Sequence, residues 1–225
     1  MKRCILTFLL LLTRASFSLC QTYFTREYPS FAGQEAWESF FHPLGGFSVV
    51  FRDNENFGNA AVHRMDSAGN ITASYGPGMP VHDFWARVGA SGQHVVGWEQ
   101  GDDSVHVSYL SSNLSLQWSS AYSIPLNPGE SLTSTSIDRV VGGLIAFGII
   151  EDSLGFKRIF LLKILDNGMV DWLKFHTEIQ GFSVIPDNLT ELTNTNLALT
   201  GRVENSGTEP FIWIMNSSGD SLAAY

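Results

Sequence analysis

The chain reads as an all-β protein of four four-stranded antiparallel modules, the blade unit of a β-propeller, and three observations lead there. A turn of one chemistry recurs along the chain, each turn sits between two apolar strand patterns, and no segment carries the 3.6-residue period of an amphipathic helix. Composition agrees, since 21 glycines, 16 phenylalanines and only 16% charged residues in 225 suit short strands joined by tight turns.

The first element is a presequence. Met1-Lys2-Arg3 precedes an apolar run from Cys4 to Leu12 broken only by Thr7, and small residues follow Arg14 up to Cys20. A cationic start, a short apolar stretch and small residues near a cut describe a secretory signal peptide spanning residues 1–20. Arg14 stops the run well short of the roughly 20 apolar residues that a membrane-spanning helix needs. Cleavage after Cys20 makes Gln21 the mature N-terminus; the rival reading, a lipid anchor on Cys20, normally wants a small residue where Leu19 stands. Both cysteines, Cys4 and Cys20, lie in the presequence, so the mature chain has no disulfide and its core must carry the fold. Loss of Lys2, Arg3 and Arg14 takes the net charge from −9 to −12, which excludes nucleic acid and anionic membrane surfaces as partners and favours a cationic one.

The repeat follows. Anchors at Asp66, Ser111, Asp166 and Asn216 stand 45, 55 and 50 residues apart, each at the head of a turn rich in Asp, Asn, Ser and Gly. Apolar segments precede them (AAVHRM, VHVSYL, RIFLLKIL, PFIWIM) and follow them (ITASY, LSLQWSSAY, VDWLKFHTE, SLAAY), which predicts one hairpin per repeat. Upstream lie GGFSVVF, GQHVVGW, GGLIAFGII and NLALTGRV, and before those EAWESFF, HDFWARV, LTSTSIDRVV and FSVIPDNLTEL. The predicted blades cover about 31–75, 78–123, 129–178 and 182–225. Ile159–Leu165 is apolar at nearly every position, as expected of a strand covered on both faces. A β-sandwich is the alternative, although it does not call for the same turn at corresponding points. Tyr23–Tyr28 resembles a further outermost strand, so the four blades read as an open arc of a larger propeller rather than as a closed ring.

The unit Phe160–Phe175, FLLKILDNGMVDWLKF, resembles the tandem repeats of secreted propeller proteins from bacteria that use the type IX export route: Lys163, Asp166, Gly168 and Trp172 match, and Trp118 fits the second repeat. The first and fourth repeats depart from the pattern, with Thr72 and Leu222 near the tryptophan position, and the family's C-terminal sorting domain is missing from this sequence. The resemblance implies a surface or extracellular binding protein without assigned chemistry.

Chemical motifs are sparse. His42, His63, His82, His94, His106 and His176 form no pair at metal-ligand spacing, and neither a G-x-S-x-G elbow nor a phosphate or dinucleotide loop occurs. The arginines are scattered rather than clustered for a substrate carboxylate. Trp37, Trp85, Trp98, Trp118, Trp172 and Trp213 lie within apolar strand patterns and read as packing residues before sugar platforms. Four N-glycosylation sequons (Asn70, Asn113, Asn188, Asn216) and four Asp-Ser-aliphatic triplets (Ser67, Ser104, Ser153, Ser221) fall mainly in turns.

One constellation recurs. The loop after each second strand is acidic: Asp53 and Glu55, then Glu99, Asp102 and Asp103, then Glu151 and Asp152, then Glu204. In a propeller these loops emerge on one face, which predicts an acidic ring able to hold Ca²⁺ or a basic partner. Turn formation by Asp is the plainer reading, because no loop has the oxygen spacing of a dedicated calcium loop. Together these features predict an exported, non-enzymatic module that binds a glycan or a basic protein surface, or serves as a scaffold, without cofactor or catalytic residues. The alternative is a secreted carbohydrate-active hydrolase with its acids in the loops.

Overall fold

The computed structural model describes residues 34–53, 60–79, 81, 83–99, 103–176, 184–203 and 209–225. The presequence and Tyr23–Tyr28 lie outside the described residues. Sixteen strands form four sheets, and no helix occurs among the described residues. Blade 1 holds β1 (Gln34–Phe41), β2 (Phe47–Asp53), β3 (Ala61–Met65) and β4 (Ile71–Tyr75). Blade 2 holds β5 (Asp83–Val88), β6 (His94–Glu99), β7 (Ser104–Leu110) and β8 (Leu116–Ser123). Blade 3 holds β9 (Ser131–Val140), β10 (Gly143–Glu151), β11 (Lys157–Leu165) and β12 (Val170–His176), and blade 4 holds β13 (Val184–Glu191), β14 (Leu197–Val203), β15 (Glu209–Met215) and β16 (Ser221–Ala224). Every sheet is an antiparallel meander paired in chain order, so the strands divide into four separate blades and the sandwich alternative falls.

The hairpins are built by one device. Asp66, Ser111, Leu165 and Asn216 each accept, at the carbonyl, the amide three residues on, and donate their own amide to the carbonyl four residues on. The fourth residue of each turn is left-handed: Gly69 (φ 77°), Leu114 (61°), Gly168 (83°) and Gly219 (78°). This is a type I turn closed by a bulge, whose twist suits antiparallel strands. In blade 3 the equivalent position is Leu165 and not Asp166, so the anchor read from sequence is displaced by one residue. Asp166 instead pairs with Arg139 at 3.0 Å.

Each outer strand then carries a β-bulge directly after that turn, at Thr72, Gln117, Asp171 and Leu222. The displaced blade 3 turn, headed by Leu165 rather than Asp166, shifts the tryptophan comparison by one. Trp118 pairs with Tyr109 and Trp172 with Lys163, while the equivalent residues in blades 1 and 4 are Ala73 and Ala223, not Thr72 and Leu222.

Three apolar layers lie between consecutive blades. Val50, Val62, Phe84, Ala86, Val96 and Leu110 fill the first. Val95, Val107, Ile137, Leu144, Phe160 and Ile164 fill the second, and Ile145, Phe147, Leu161, Leu199, Phe211 and Met215 the third. Blade 3 is covered on both faces, which is why β10 is buried from Gly143 to Ile150 and reads as a continuous apolar run. Inner strands also meet across the junctions, β2 with β5, β5 with β9, and β9 with β13.

Candidate functional site

Of the predicted acidic residues, Glu99, Asp103, Glu151 and Asp152 fall within the described side chains. Glu55, Asp102 and Glu204 lie outside the described residues, as does the side chain of Asp53. Glu99 ends β6 and is buried, 6% exposed. Asp103 is exposed and left-handed (φ 59°), and its carbonyl accepts the amide of Ile124. Asp152 heads the β10–β11 turn, where one carboxylate oxygen accepts the amides of Leu154 (2.8 Å) and Phe156 (2.9 Å). Its neighbour Glu151 lies 3.8 Å from Lys157 across the same hairpin. Among the described residues no three His, Cys, Asp or Glu side chains converge as metal ligands. The turn role of Asp152 is therefore explicit in the geometry, and it is the role that Asp66 and Asn216 play in their own turns. Asn70 and Asn216, both in sequons, donate their side-chain amides to Asp66 and Asp220 within those turns.

The strongest charge constellation lies instead on the inner strands and was not singled out from sequence. Arg87 of β5 donates from Nη1 to both oxygens of Glu38 on β1 (3.0 and 2.9 Å), and from Nε to Asp138 on β9 at 2.8 Å. The second Asp138 oxygen accepts the amide of Leu189 on β13 at 3.2 Å. One polar chain thus links all four blades. Burial pushes the Asp138 and Glu38 carboxyls above their usual range, and the Arg87 guanidinium pulls both back. The signal available in sequence was two charges within each of three inner-strand segments, EAWESFF, DFWARV and LTSTSIDRVV, a pattern that an ordinary half-exposed strand also shows.

A second polar group sits at the junction of blades 1 and 2. Ser48 Oγ lies 2.7 Å from His94 Nε2, and the His94 ring stacks on His42 with centroids 5.4 Å apart. The Ser–His distance would suit a nucleophile and its base, but Ser48 and His94 are both 0% exposed, leaving no room for a substrate between them. This cluster packs; it does not present a reacting atom.

The tryptophans also join blades. The Trp118 indole covers Gly168, a Cβ on that glycine coming within 3.3 Å of the ring, and its Nε1 donates to the Asp166 carbonyl at 2.9 Å. Trp172 covers Gly219 in the same way one junction later. Glycine at those turns thus serves both the left-handed backbone and the close approach of the ring.

What remains for a partner are the two ends of the blades. One end is described at Asp103 and at the β10–β11 turn, where Glu151 and Asp152 stand beside the exposed Leu154 and Phe156, while the other loops predicted to be acidic lie outside the described residues. The β1–β2 and β3–β4 turns and their equivalents form the other, which carries most of the exposed large apolar side chains, including Phe41 (93% exposed), Leu44, Leu116, Val141 and Met169. Charges at this end are internally matched, with Arg139 on Asp166 and Lys174 on Asp220. Compared with known proteins, the chain matches no family model and no curated protein.

Proposed function

We propose that this chain is an exported, non-enzymatic blade-repeat module that acts by binding or scaffolding at the cell surface or outside the cell. The observation that carries the reading is the division of labour among its polar groups. Two of them, Glu38–Arg87–Asp138 and Ser48–His94–His42, bridge blades and are partly or wholly buried, while the two blade ends differ in character, one predicted to be acidic and the other carrying most of the exposed large apolar residues. Two chemically distinct ends suit a module that holds one partner at each. The acidic end fits a basic protein surface or a glycan. The presequence pattern and the resemblance of Phe160–Phe175 to secreted repeat proteins supply the compartment.

The test is a panel of polysaccharides and basic proteins scored both for retention and for product release. Retention without products is the expected outcome, whereas released products would replace this reading with the hydrolase. Simultaneous neutralisation of Asp102, Asp103, Glu151 and Asp152 should abolish retention if the acidic end is the binding surface. If retention and thermal stability in added Ca²⁺ are both unchanged by that variant, those loops are turns only.

A further inference from the structure

The blade 1–blade 2 junction is closed by imidazoles at the point where β1 turns into β2. His42 is 4% exposed and fully committed as a neutral ring: Nδ1 accepts the amide of Leu44 at 3.2 Å, so Nε2 carries the proton and donates to the Gly92 carbonyl of blade 2 at 3.0 Å. Gly92 is left-handed (φ 85°), and a Cβ there would lie 2.6 Å from His42 Cε1, so the loop backbone is pressed onto the ring. On the opposite side His94 packs at 5.4 Å and meets Ser48. The charged group facing the pair from β3 is Arg64, whose Nε donates to the Ser112 carbonyl; the ionic groups acting on the two rings are each other and Arg64, all cationic or neutral.

A second proton on His42 would enter at Nδ1, expel the Leu44 amide and open the turn. A proton on His94 would place a buried cation against a second imidazole and a guanidinium, with no carboxylate among the described residues to offset it and only the Ser111 and Gly92 backbone groups to favour it. The other junctions lack this arrangement. The second uses Trp118 and Tyr122 on the Gly168 turn, and at the third His176 has the Asp220 carboxylate in its field.

We propose that the His42–His94 stack is an acid-released latch, which holds blade 1 on blade 2 at neutral pH and lets it swing free in mildly acidic surroundings while the other junctions stay closed. This goes beyond the binding reading and does not depend on it. Burial first, then His42 and Arg64, push the His94 imidazole down to about 4, and burial likewise lowers His42. The unfastened junction therefore binds protons that the closed one refuses, so closure is complete above the ordinary imidazole range near pH 6.5 and weakens as pH falls from there toward 4. For His94 alone this amounts to about a 20-fold rise in the opening equilibrium between pH 7 and pH 5.

Hydrogen exchange on the full chain, corrected for the intrinsic pH dependence of amide exchange, tests it. Residues 34–53 should open about 20-fold more at pH 5 than at pH 7, while the segment Gly143–Leu165 stays nearly unchanged. Equal loosening of both segments, or of neither, would overturn the latch. In the His42→Gln/His94→Gln variant, whose amides can still donate to Gly92 and Ser48, the pH response of residues 34–53 should lose most of its size, leaving only what the buried His63 beside Phe51 contributes, and an undiminished response would sink the idea. Should that variant fail to fold, imidazole resonances of the unaltered protein decide: His94 neutral at pH 6 supports the latch, and His94 protonated at pH 6 with blade 1 still protected refutes it.

Discussion

At the residue scale the turns show how much side-chain identity a left-handed position tolerates. The β1–β2 and β5–β6 turns place Gly45 and Gly92 there, whereas the β13–β14 turn places Thr195, a β-branched residue, at φ 65°. Left-handed backbone costs a non-glycine residue about 1–2 kcal/mol, and glycine returns about half of that as unfolded-chain entropy. Thr195 is exposed, so little packing is at stake. Thr195→Gly should therefore raise stability by about 0.5–1 kcal/mol in chemical denaturation. Leu114 shares the conformation (φ 61°) but is only 5% exposed, and Leu114→Gly should lower stability by about 1–2 kcal/mol because the burial lost outweighs the strain relieved. A gain at both positions, or a loss at both, would mean that backbone strain and burial are misjudged here.

At the element scale the strands and hairpins were legible because turn chemistry and apolar runs are local signals. Every predicted segment, from EAWESFF to SLAAY, becomes a strand. Bulges were not legible. The extra residue at Asp171 or Leu222 leaves no mark on composition, whereas the tryptophan comparison is displaced by the blade 3 turn, which starts at Leu165 rather than Asp166. A second hidden feature is the glycine in the middle of β10 and of β14, two positions where a strand-forming residue would be expected from propensity. A Cβ on Gly148 would lie 2.1 Å from the Ser134 carbonyl oxygen and 2.8 Å from the Phe160 ring. On Gly201 the corresponding distances, to Ile185 and Phe211, are 2.0 and 2.7 Å. The repeat thus spends a glycine to let the inner strand bend across it while an aromatic ring closes the gap. Gly148→Ala should cost about 3 kcal/mol or more, since the clash is with backbone that cannot rotate away, and a loss under about 1 kcal/mol would show that the sheet relaxes freely there.

At the scale of the whole molecule, the acidic ring read from sequence and the charges that actually meet are different sets. Sequence order can say which loops share an end, but it cannot say that Glu38, Arg87 and Asp138, each about 50 residues from the next, converge; that follows from how blades stack. Asp152, by contrast, is legible as a turn residue, because its partners are two and four positions away. Arg87 is the hub on which the relation between blades depends. With its side chain 19% exposed between carboxylates that are 34% and 13% exposed, the triad sits between a surface pair and a buried one. Arg87→Met keeps the volume and removes the charge, leaving two carboxyls partly withdrawn from water. A fully buried pair broken this way would lose about 3–5 kcal/mol, and the partial exposure reduces the expected loss to about 1–3 kcal/mol at pH 7. The pH dependence gives the sharper check. Without the guanidinium the carboxyls of Glu38 and Asp138 rise further above their unfolded range, so the folded variant holds protons that its unfolded chain has released. Its deficit relative to the unaltered protein should then shrink as pH falls from 7 toward 5, a window in which the histidines destabilise both proteins alike and cancel in the difference. Paired denaturation curves at the two pH values measure it, and a deficit that is constant or grows on acidification would show that Arg87 contributes through its guanidinium over the Phe40 ring rather than by neutralising the two acids.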